Sequence, residues 1–415
     1  MLDVAVWVLY IGMFYISFLL LLVFLERGEL KRDIEYPEEW PSITMIIPAY
    51  NEEDTVGMTI ESVLDADYPE DKFEVIVVND GSEDDTRKVV EQYTDRVQLI
   101  NQENQGKGAA MNTALEEVDT ELFAVVDADA RLKEDSVKNI VAGLEDDMAG
   151  IASAMKVHEP ETLLQRAQRV EYIVSIFLRK ILGLLDAIPV APGPLSVYRT
   201  EVIKDLGGFD PESMVEDQEI CYRLHEEGLR LGHSRSGEVY TVAPRNLKEF
   251  YNQRYRWQRG TLETMLDYRH MFLNPKYGEF GVFGIPSKAV QMLLSLMGFS
   301  LLVYFIGRPI VNFARSLFSV GAAALDIAIP TSFPALAEAV YWTLLDAKLV
   351  SLMLLGFVTF ISIFTAYLAA KHTEEGLFEY GRIPPIIYLF FYFYIITPIW
   401  IKVVTDIVRK KGMEW

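Results

Sequence analysis

Apolar residues are segregated along this chain: they gather in long runs at its two ends and leave a charged middle between them. The run from Val4 to Leu25 matches the roughly 20 helical residues that a bilayer core requires. After about Gly281 three more runs are long enough to span, Gly284 to Ile306, Leu344 to Ala370 and Pro385 to Val408. Asp346 and Lys348 put the start of the second of these at an interface. Ile310 to Ile329 is ambiguous, because it carries Asn312, Arg315 and Asp326. The lead-in Met1-Leu2-Asp3 lacks the positive charge of a secretory leader, and no small-residue cleavage site follows. Arg27, Lys31 and Arg32 come just after the first run, so the positive-inside tendency places the N-terminus outside and the middle domain in the cytoplasm. Three C-terminal spans would leave Arg409-Lys410-Lys411 outside and four would leave it inside, so the charges favour an extra or partial span. The expected division is a membrane helix at 1–27, a cytoplasmic domain at 40–245, interfacial amphipathic helices at 246–280 and a membrane region at 281–415.

Composition excludes several classes. The formal charge of -22 repels phosphate backbones, which argues against nucleic-acid binding. The single cysteine, Cys221, rules out an intrachain disulfide and reads as a small buried hydrophobe. The five histidines form no H-x-x-H or H-E-x-x-H pattern, so zinc chemistry has no support.

From Ser42 to about Arg245, short apolar runs alternate with amphipathic stretches. Ile43–Pro48, Phe73–Val78, Val97–Ile100 and Leu122–Val126 read as strands. Thr55–Leu64, a stretch ending near Tyr93, and Gly108–Val118 read as helices. Continuous β-branched runs between helices indicate an α/β domain with a mainly parallel sheet covered on both faces. Ligands then bind beyond the carboxyl ends of the strands, where Asn51, Asp80, Asn101 and Asp127 are expected.

Four constellations carry chemistry. Asp127-Ala128-Asp129 follows a buried strand, and two carboxylates on a turn can hold Mg²⁺ or Mn²⁺ against a diphosphate, although such a pair also occurs on solvated turns. Asp80, before Gly81-Ser82, can accept from a base or ribose, or simply cap a turn. Asp217 in Glu216-Asp217 is a candidate general base, or a carboxylate favoured by a helix N-terminus. In Gln253-Arg254-Tyr255-Arg256-Trp257, Arg256 can meet a diphosphate and Trp257 can pack on a sugar, or the segment can be an interfacial helix.

Together with Pro48-Ala49-Tyr50-Asn51-Glu52 and Gly106-Lys107-Gly108 with Asn112, these motifs resemble the family-2 glycosyltransferases. The resemblance is to their membrane-integrated branch, which contains cellulose, chitin, hyaluronan and poly-N-acetylglucosamine synthases, and it runs from about Ile43 to Gly260. It implies a GT-A, Rossmann-like catalytic domain flanked by transmembrane helices, multi-pass in the cell membrane with its catalytic side cytoplasmic. It also implies roles. Tyr50, Glu52 and Asp80 would hold the nucleoside, and Lys107 would lie near the donor. Asp127 would contact donor and metal, Asp129 the metal, and Asp217 would be the base. Gln253, Arg256 and Trp257 would bind the diphosphate and the acceptor end, with Gly193 and Pro194 in the acceptor-side loop Pro192–Ser196. The family's usual Thr before Glu-Asp is Val215 here. The implied reaction is inverting, metal-dependent transfer from a nucleotide-diphosphate sugar to a polysaccharide. Single-sugar transfer to a lipid, similar to ceramide glucosyltransferase, and an inactive sugar-sensing or scaffold protein are the alternatives. A partner subunit is compatible with the sequence but has no signal in it.

Overall fold

The computed structural model describes residues 35–302 and 349–409, with single helical positions at 12, 17, 21, 25, 311, 312, 314, 315, 318 and 319. Those single positions aside, the expected span 4–25 and the ambiguous stretch 310–329 lie outside the described residues.

The apolar runs form one sheet. Its strands are β1 (Ile43–Ala49), β2 (Phe73–Asp80), β3 (Gln98–Gln102), β4 (Leu122–Val125), β5 (Arg131–Leu132), β6 (Met148–Val157), β7 (Ser196–Arg199) and β8 (Arg230–Thr241), in the spatial order 3-2-1-4-7-6-8-5. The β3-β2-β1-β4 half is parallel throughout. Beyond it the sheet is mixed: β7 is antiparallel to both β4 and β6, β6 and β8 are parallel, and β5 is antiparallel to β8. Four of the seven pairings among the described residues are parallel, so the expectation of a mainly parallel sheet holds, with the antiparallel pairings confined to the half beyond β4. β7 is only four residues long, too short to stand out as an apolar period.

All seven residues of β1 are buried, as a strand covered on both faces requires. Ile43, Met45 and Ile47 face α1 (Val56–Leu64) through Val56, Ile60 and Val63. Ile46 points the other way, into a cluster with α3 (Lys107–Glu116) and α7 (Glu216–Glu226) that includes Met111, Ile220 and Cys221. Each such fully buried aliphatic side chain contributes about 1.5–3 kcal/mol. The short helices α2 (Thr86–Val90), α4 (Ser136–Val141) and α6 (Thr200–Asp205) complete the domain.

Two long helices join this domain to the apolar C-terminal part. α5 (Leu163–Leu184) starts at a capping box, in which Gln165 N donates to Thr162 Oγ1 at 3.2 Å and Thr162 N donates to Gln165 Oε1 at 3.0 Å. Its Ile173, Val174, Phe177 and Ile181 pack on Ala366 and Ala369 of α10 (Leu349–Thr373). α8 (Leu247–Asp267) is capped by Asn246 and lies between α7 and α11 (Ile383–Val408). Thr261 Oγ1 donates to Gln218 Oε1 at 2.8 Å on the α7 side, and the Phe250 ring meets Tyr392 edge-on at 5.6 Å on the other. Leu163–Leu184 and Leu247–Asp267 are thus packed helices that link the two parts.

Among the described residues three apolar helices follow: α9 (Ile285–Leu302), α10 and α11. Among the described residues one helix, Ile383–Val408, is long and apolar enough to cross a membrane by length and composition, with a mean hydropathy of 1.8. Phe360, Ile363 and Tyr367 on α10 and Phe390, Phe391 and Ile401 on α11 expose large apolar surfaces.

Candidate active site

The loops that leave the carboxyl ends of β1, β2 and β4 converge on one cleft of about 800 Å³, a size typical of small-molecule sites. Tyr50 and Glu52 enter it from the β1 loop, Asp80 from the end of β2, Lys107 from the start of α3, and Asp127 and Asp129 from the turn after β4. Pro211 to Met214 and Glu216 close another side, and Arg256 reaches in from α8. The β1 and β2 loops are tied together: Asn51 sits at φ 54 and its Oδ1 accepts from Glu83 N at 2.8 Å. Asparagine tolerates this left-handed conformation better than most residues.

Asp80 is 3% exposed and fully engaged. Its carboxylate accepts from Gln102 Nε2 at 2.7 Å, Gln105 N at 3.0 Å and Gly106 N at 2.9 Å. It therefore holds the turn that launches α3, whose first residue is Lys107. Gly106 has φ 89, a conformation that glycine adopts without strain.

Lys107 is the electrostatic hub. Its Nζ lies 2.6 Å from Asp127 Oδ1 and 2.8 Å from Glu216 Oε1. Burial works against its charge, but Asp127, Glu216 and Asp217 outweigh burial and hold the ammonium above the usual lysine range. Gly193 lies against this pair: a Cβ there would sit 2.6 Å from Lys107 Nζ and 2.8 Å from Asp127 Oδ1.

The carboxylates crowd one another. Asp129 is pushed up to about 7, first by burial and then by Asp127 and Glu52, with Lys107 opposing. Glu52 is raised by burial, against a hydrogen bond from Thr55, with Asp127 and Asp84 adding to the rise. Asp217 is pushed up to about 7 by burial and then by Glu216, against the pull of Lys107 and Arg256. It sits behind the Lys107–Glu216 pair, in a narrow extension of the cleft that includes Ala191 and Gly193. The peptide N–H of Ala191 donates to the Asp217 carbonyl at 3.4 Å.

Among the described residues no group of three or more His, Cys, Asp and Glu side chains could hold a metal ion. The residues nevertheless suit a shared site. Asp127 and Asp129 offer hard oxygen donors, and the charge crowding at Asp129 is what a divalent cation relieves. Mg²⁺ in particular often takes one or two carboxylates and completes its shell with water and substrate phosphate.

The structure also separates residues that the sequence groups. Asn101, expected at a strand end, lies within β3, and its Oδ1 accepts from Asn79 Nδ2 at 2.9 Å; it brackets two strands away from the cleft. Gln253 and Trp257 do not line the cleft that holds Arg256. Trp257 packs near Val157, Tyr172 and Ala243 under the Arg254 guanidinium, 4.4 Å from its ring centroid. It faces a second cavity of about 600 Å³ with Glu171, Thr261, Tyr388 and Tyr392. Helical spacing explains the split, because neighbouring residues on α8 point about 100° apart. Pro194 lies beyond Gly193 and touches neither cavity.

Sequence reasoning missed Glu216 as the partner of Lys107; its place beside Asp217 was the available signal. It also left Asn112 without a task. Asn112 Nδ2 donates to Phe209 O at 2.8 Å and its Oδ1 accepts from Phe209 N at 2.7 Å, which anchors the loop that leads to α7. A wider depression of about 1120 Å³ lies between β5, β8 and the loop after α10. Its Lys156, Arg169, Glu238 and Glu375 are paired with one another, so size alone does not mark the site.

Comparison with known proteins agrees with this geometry. A family model described as glycosyl transferase family 2 matches residues 44–207. The probable glycosyltransferase YdaM of Bacillus subtilis (strain 168) is 28% identical over 254 residues, 58% of this chain and 60% of that protein. Poly-beta-1,6-N-acetyl-D-glucosamine synthase of Staphylococcus aureus is 24% identical over 283 residues, 67% of each chain. The structure of the mannosyltransferase PcManGT from Pyrobaculum calidifontis, in complex with GDP-Man and Mn²⁺, matches with a TM-score of 0.57 at 19% identity. That match covers 90% of this chain and 99% of the other, and it is a likeness of fold.

Proposed function

This chain carries a glycosyl transferase family 2 domain, and from that premise we propose that it transfers a sugar, with inversion, from a nucleotide-diphosphate sugar to a growing polysaccharide at the membrane. The observation that carries the reading is the single cleft in which Glu52, Asp80, Asp127, Asp129 and Arg256 surround Lys107, with Asp217 just behind. UDP-sugar is the proposed donor. Residues 40–245 would be the catalytic domain on the cytoplasmic side, 246–280 its interfacial link and 281–415 the membrane region. The exposed aromatic and aliphatic side chains of α10 and α11 support contact with lipid.

The cleft supports the following roles. Tyr50 and Glu52 bound the nucleoside end of the cleft, while Asp80 keeps the Gly106–Lys107 turn in place beneath it. Arg256 faces the departing diphosphate. A divalent cation held by Asp129 and Asp127 would supply charge neutralisation on that leaving group. Lys107 fixes Asp127 and Glu216 relative to one another, so the donor side and the base side of the cleft move as one body. Asp217 takes the proton from the acceptor hydroxyl as that oxygen forms its bond to the anomeric carbon and the bond to the diphosphate breaks. The Gly193 loop borders the gap around Asp217 that the acceptor hydroxyl would enter, and Trp257 lines the neighbouring cavity.

The test is a panel of UDP-sugars incubated with the full chain and Mn²⁺ or Mg²⁺, with nucleotide release and product size both measured. A polymer is the expected product; a single-sugar lipid would replace the acceptor assignment. A chelator should stop transfer and added Mn²⁺ or Mg²⁺ should restore it. Transfer that survives full chelation would take Asp129 and Asp127 out of the metal role.

A further inference from the structure

Two buried or half-buried cations near the membrane-facing helices have no anionic partner among the described residues. Arg179, on α5, is 7% exposed, and its one hydrogen bond among the described residues runs from NH1 to Ser153 O at 3.4 Å. Lys288, in the first turns of α9, makes no hydrogen bond or ion pair with the described residues. Both line a pocket of about 100 Å³ with Ser175, Ser287, Gln291 and Pro189. That is room for more than one water, whose share of liquid volume is about 30 Å³. The carboxylates closest in influence are already occupied. Glu171 Oε2 accepts from Arg254 NH2 at 2.7 Å and from Tyr392 OH at 2.6 Å, and Asp217 belongs to the active-site cluster.

Leaving a cation desolvated and unpaired costs several kcal/mol. This chain has 60 acidic residues against 38 basic ones, so carboxylates to neutralise such a pair are plentiful, yet among the described residues none is placed there. The site is therefore built for an anion from outside. Its surroundings select the kind. Leu178, Leu182 and Phe283 form the apolar part of the pocket wall. Through Leu178, Lys288 and Gln291 it adjoins the 600 Å³ cavity, which is lined by Met265, Met292, Leu389 and Ile396. A charged head and an apolar body are thus accommodated side by side, at the level where α9 begins.

We propose that Arg179 and Lys288 form a binding site for the phosphate group of a membrane lipid, with the lipid's chains lying along α9 and α11. Pro189 and Val190 line this pocket, and Ala191 and Gly193, a few residues on, line the gap around Asp217. The bound phosphate therefore sits on the far side of the same segment that borders the reacting hydroxyl. This goes beyond the transferase reading and is tested without sugar transfer.

The experiment is native mass spectrometry of the full chain in non-ionic detergent, incubated with dioleoyl phosphatidic acid or with dioleoylglycerol, which has the same chains and no phosphate. Hydrogen bonds to charged groups are strong enough that the phosphatidic acid adduct should exceed the dioleoylglycerol adduct about tenfold. R179Q and K288Q should each bring it down towards the dioleoylglycerol level. Excess inorganic phosphate should leave the lipid adduct in place; its displacement would assign the site to the free ion and overturn the lipid assignment. Equal retention of the two lipids, or an adduct unchanged in both variants, would overturn the site itself. Should R179Q fail to fold, K288Q decides alone, because its side chain is only half-buried.

Discussion

Asp217 is a carboxyl group that its surroundings hold near neutrality, and two predictions separate its chemical role from a structural one. A base must be ionised to accept a proton, and burial with Glu216 alongside pushes Asp217 up to about 7. Transfer should therefore rise with pH through about 7, and a profile flat from about pH 5 to about 8 would contradict the assignment. Asp217→Asn should lower turnover by about 10²–10⁴-fold with donor binding retained. Stability should move the other way. The unfolded carboxyl ionises near its ordinary value of about 4 while the folded one keeps its proton until about 7. The wild-type chain thus loses stability as pH rises through that window, and the penalty is complete above it. Asp217→Asn lacks the penalty, so at about pH 8 it should melt no lower than wild type. An inactive variant that also melts well below wild type would point to a structural residue.

At the scale of elements, the cleft depends on close approaches between segments distant in sequence. Gly193 allows its loop to rest on Lys107 and Asp127. Gly193→Ala would force the lysine ammonium aside, because the new Cβ falls 2.6 Å from it. The three nearest atoms belong to the Lys107 and Asp127 side chains and none to the backbone, so transfer should drop about tenfold or more while the chain stays folded, its melting temperature lower by about a few degrees from the disturbed ion pair. Gly260 on α8 tells the opposite story. A Cβ there would meet Val215 atoms at 2.6, 2.7 and 3.1 Å. Val215 is the residue that departs from the family's usual Thr, and the α7–α8 contact is built around it. Gly260→Ala should cost about 1–3 kcal/mol by overpacking, read as a lower melting temperature.

For the molecule as a whole, the catalytic domain and the apolar helices are fastened by ion pairs as well as by packing. Arg169 of α5 pairs with Glu375 at 2.8 Å and Glu379 at 2.5 Å, and donates to Gly376 O at 3.1 Å, all in the loop between α10 and α11. Lys156 at the end of β6 reaches Glu375 at 3.2 Å. Arg169→Ala would leave Glu375 to Lys156 alone and remove the bond to Gly376 O, at a cost of about 1–3 kcal/mol. Limited proteolysis should then cut the 374–380 loop markedly faster than in wild type; unchanged cleavage would show that packing alone holds the two parts together.

That Asp80, Lys107, Asp127, Asp129 and Arg256 would share a cleft was legible only through the family resemblance; the sequence by itself determined where the sheet begins and which strand ends carry carboxylates. These are local matters: a β-branched run buries itself, and the polar residue that follows must surface at the strand's end. Only the tertiary structure decided that Glu216 would hold Lys107, that Asp80 would spend its oxygens on the Gln105–Gly106 turn, and that Trp257 would face a different cavity from Arg256. It also decided that Asn101 would stay inside the sheet and that β7 would run antiparallel. Those outcomes depend on which segments meet across long sequence separations, and an apolar period or a short motif carries no information about the partner it will meet.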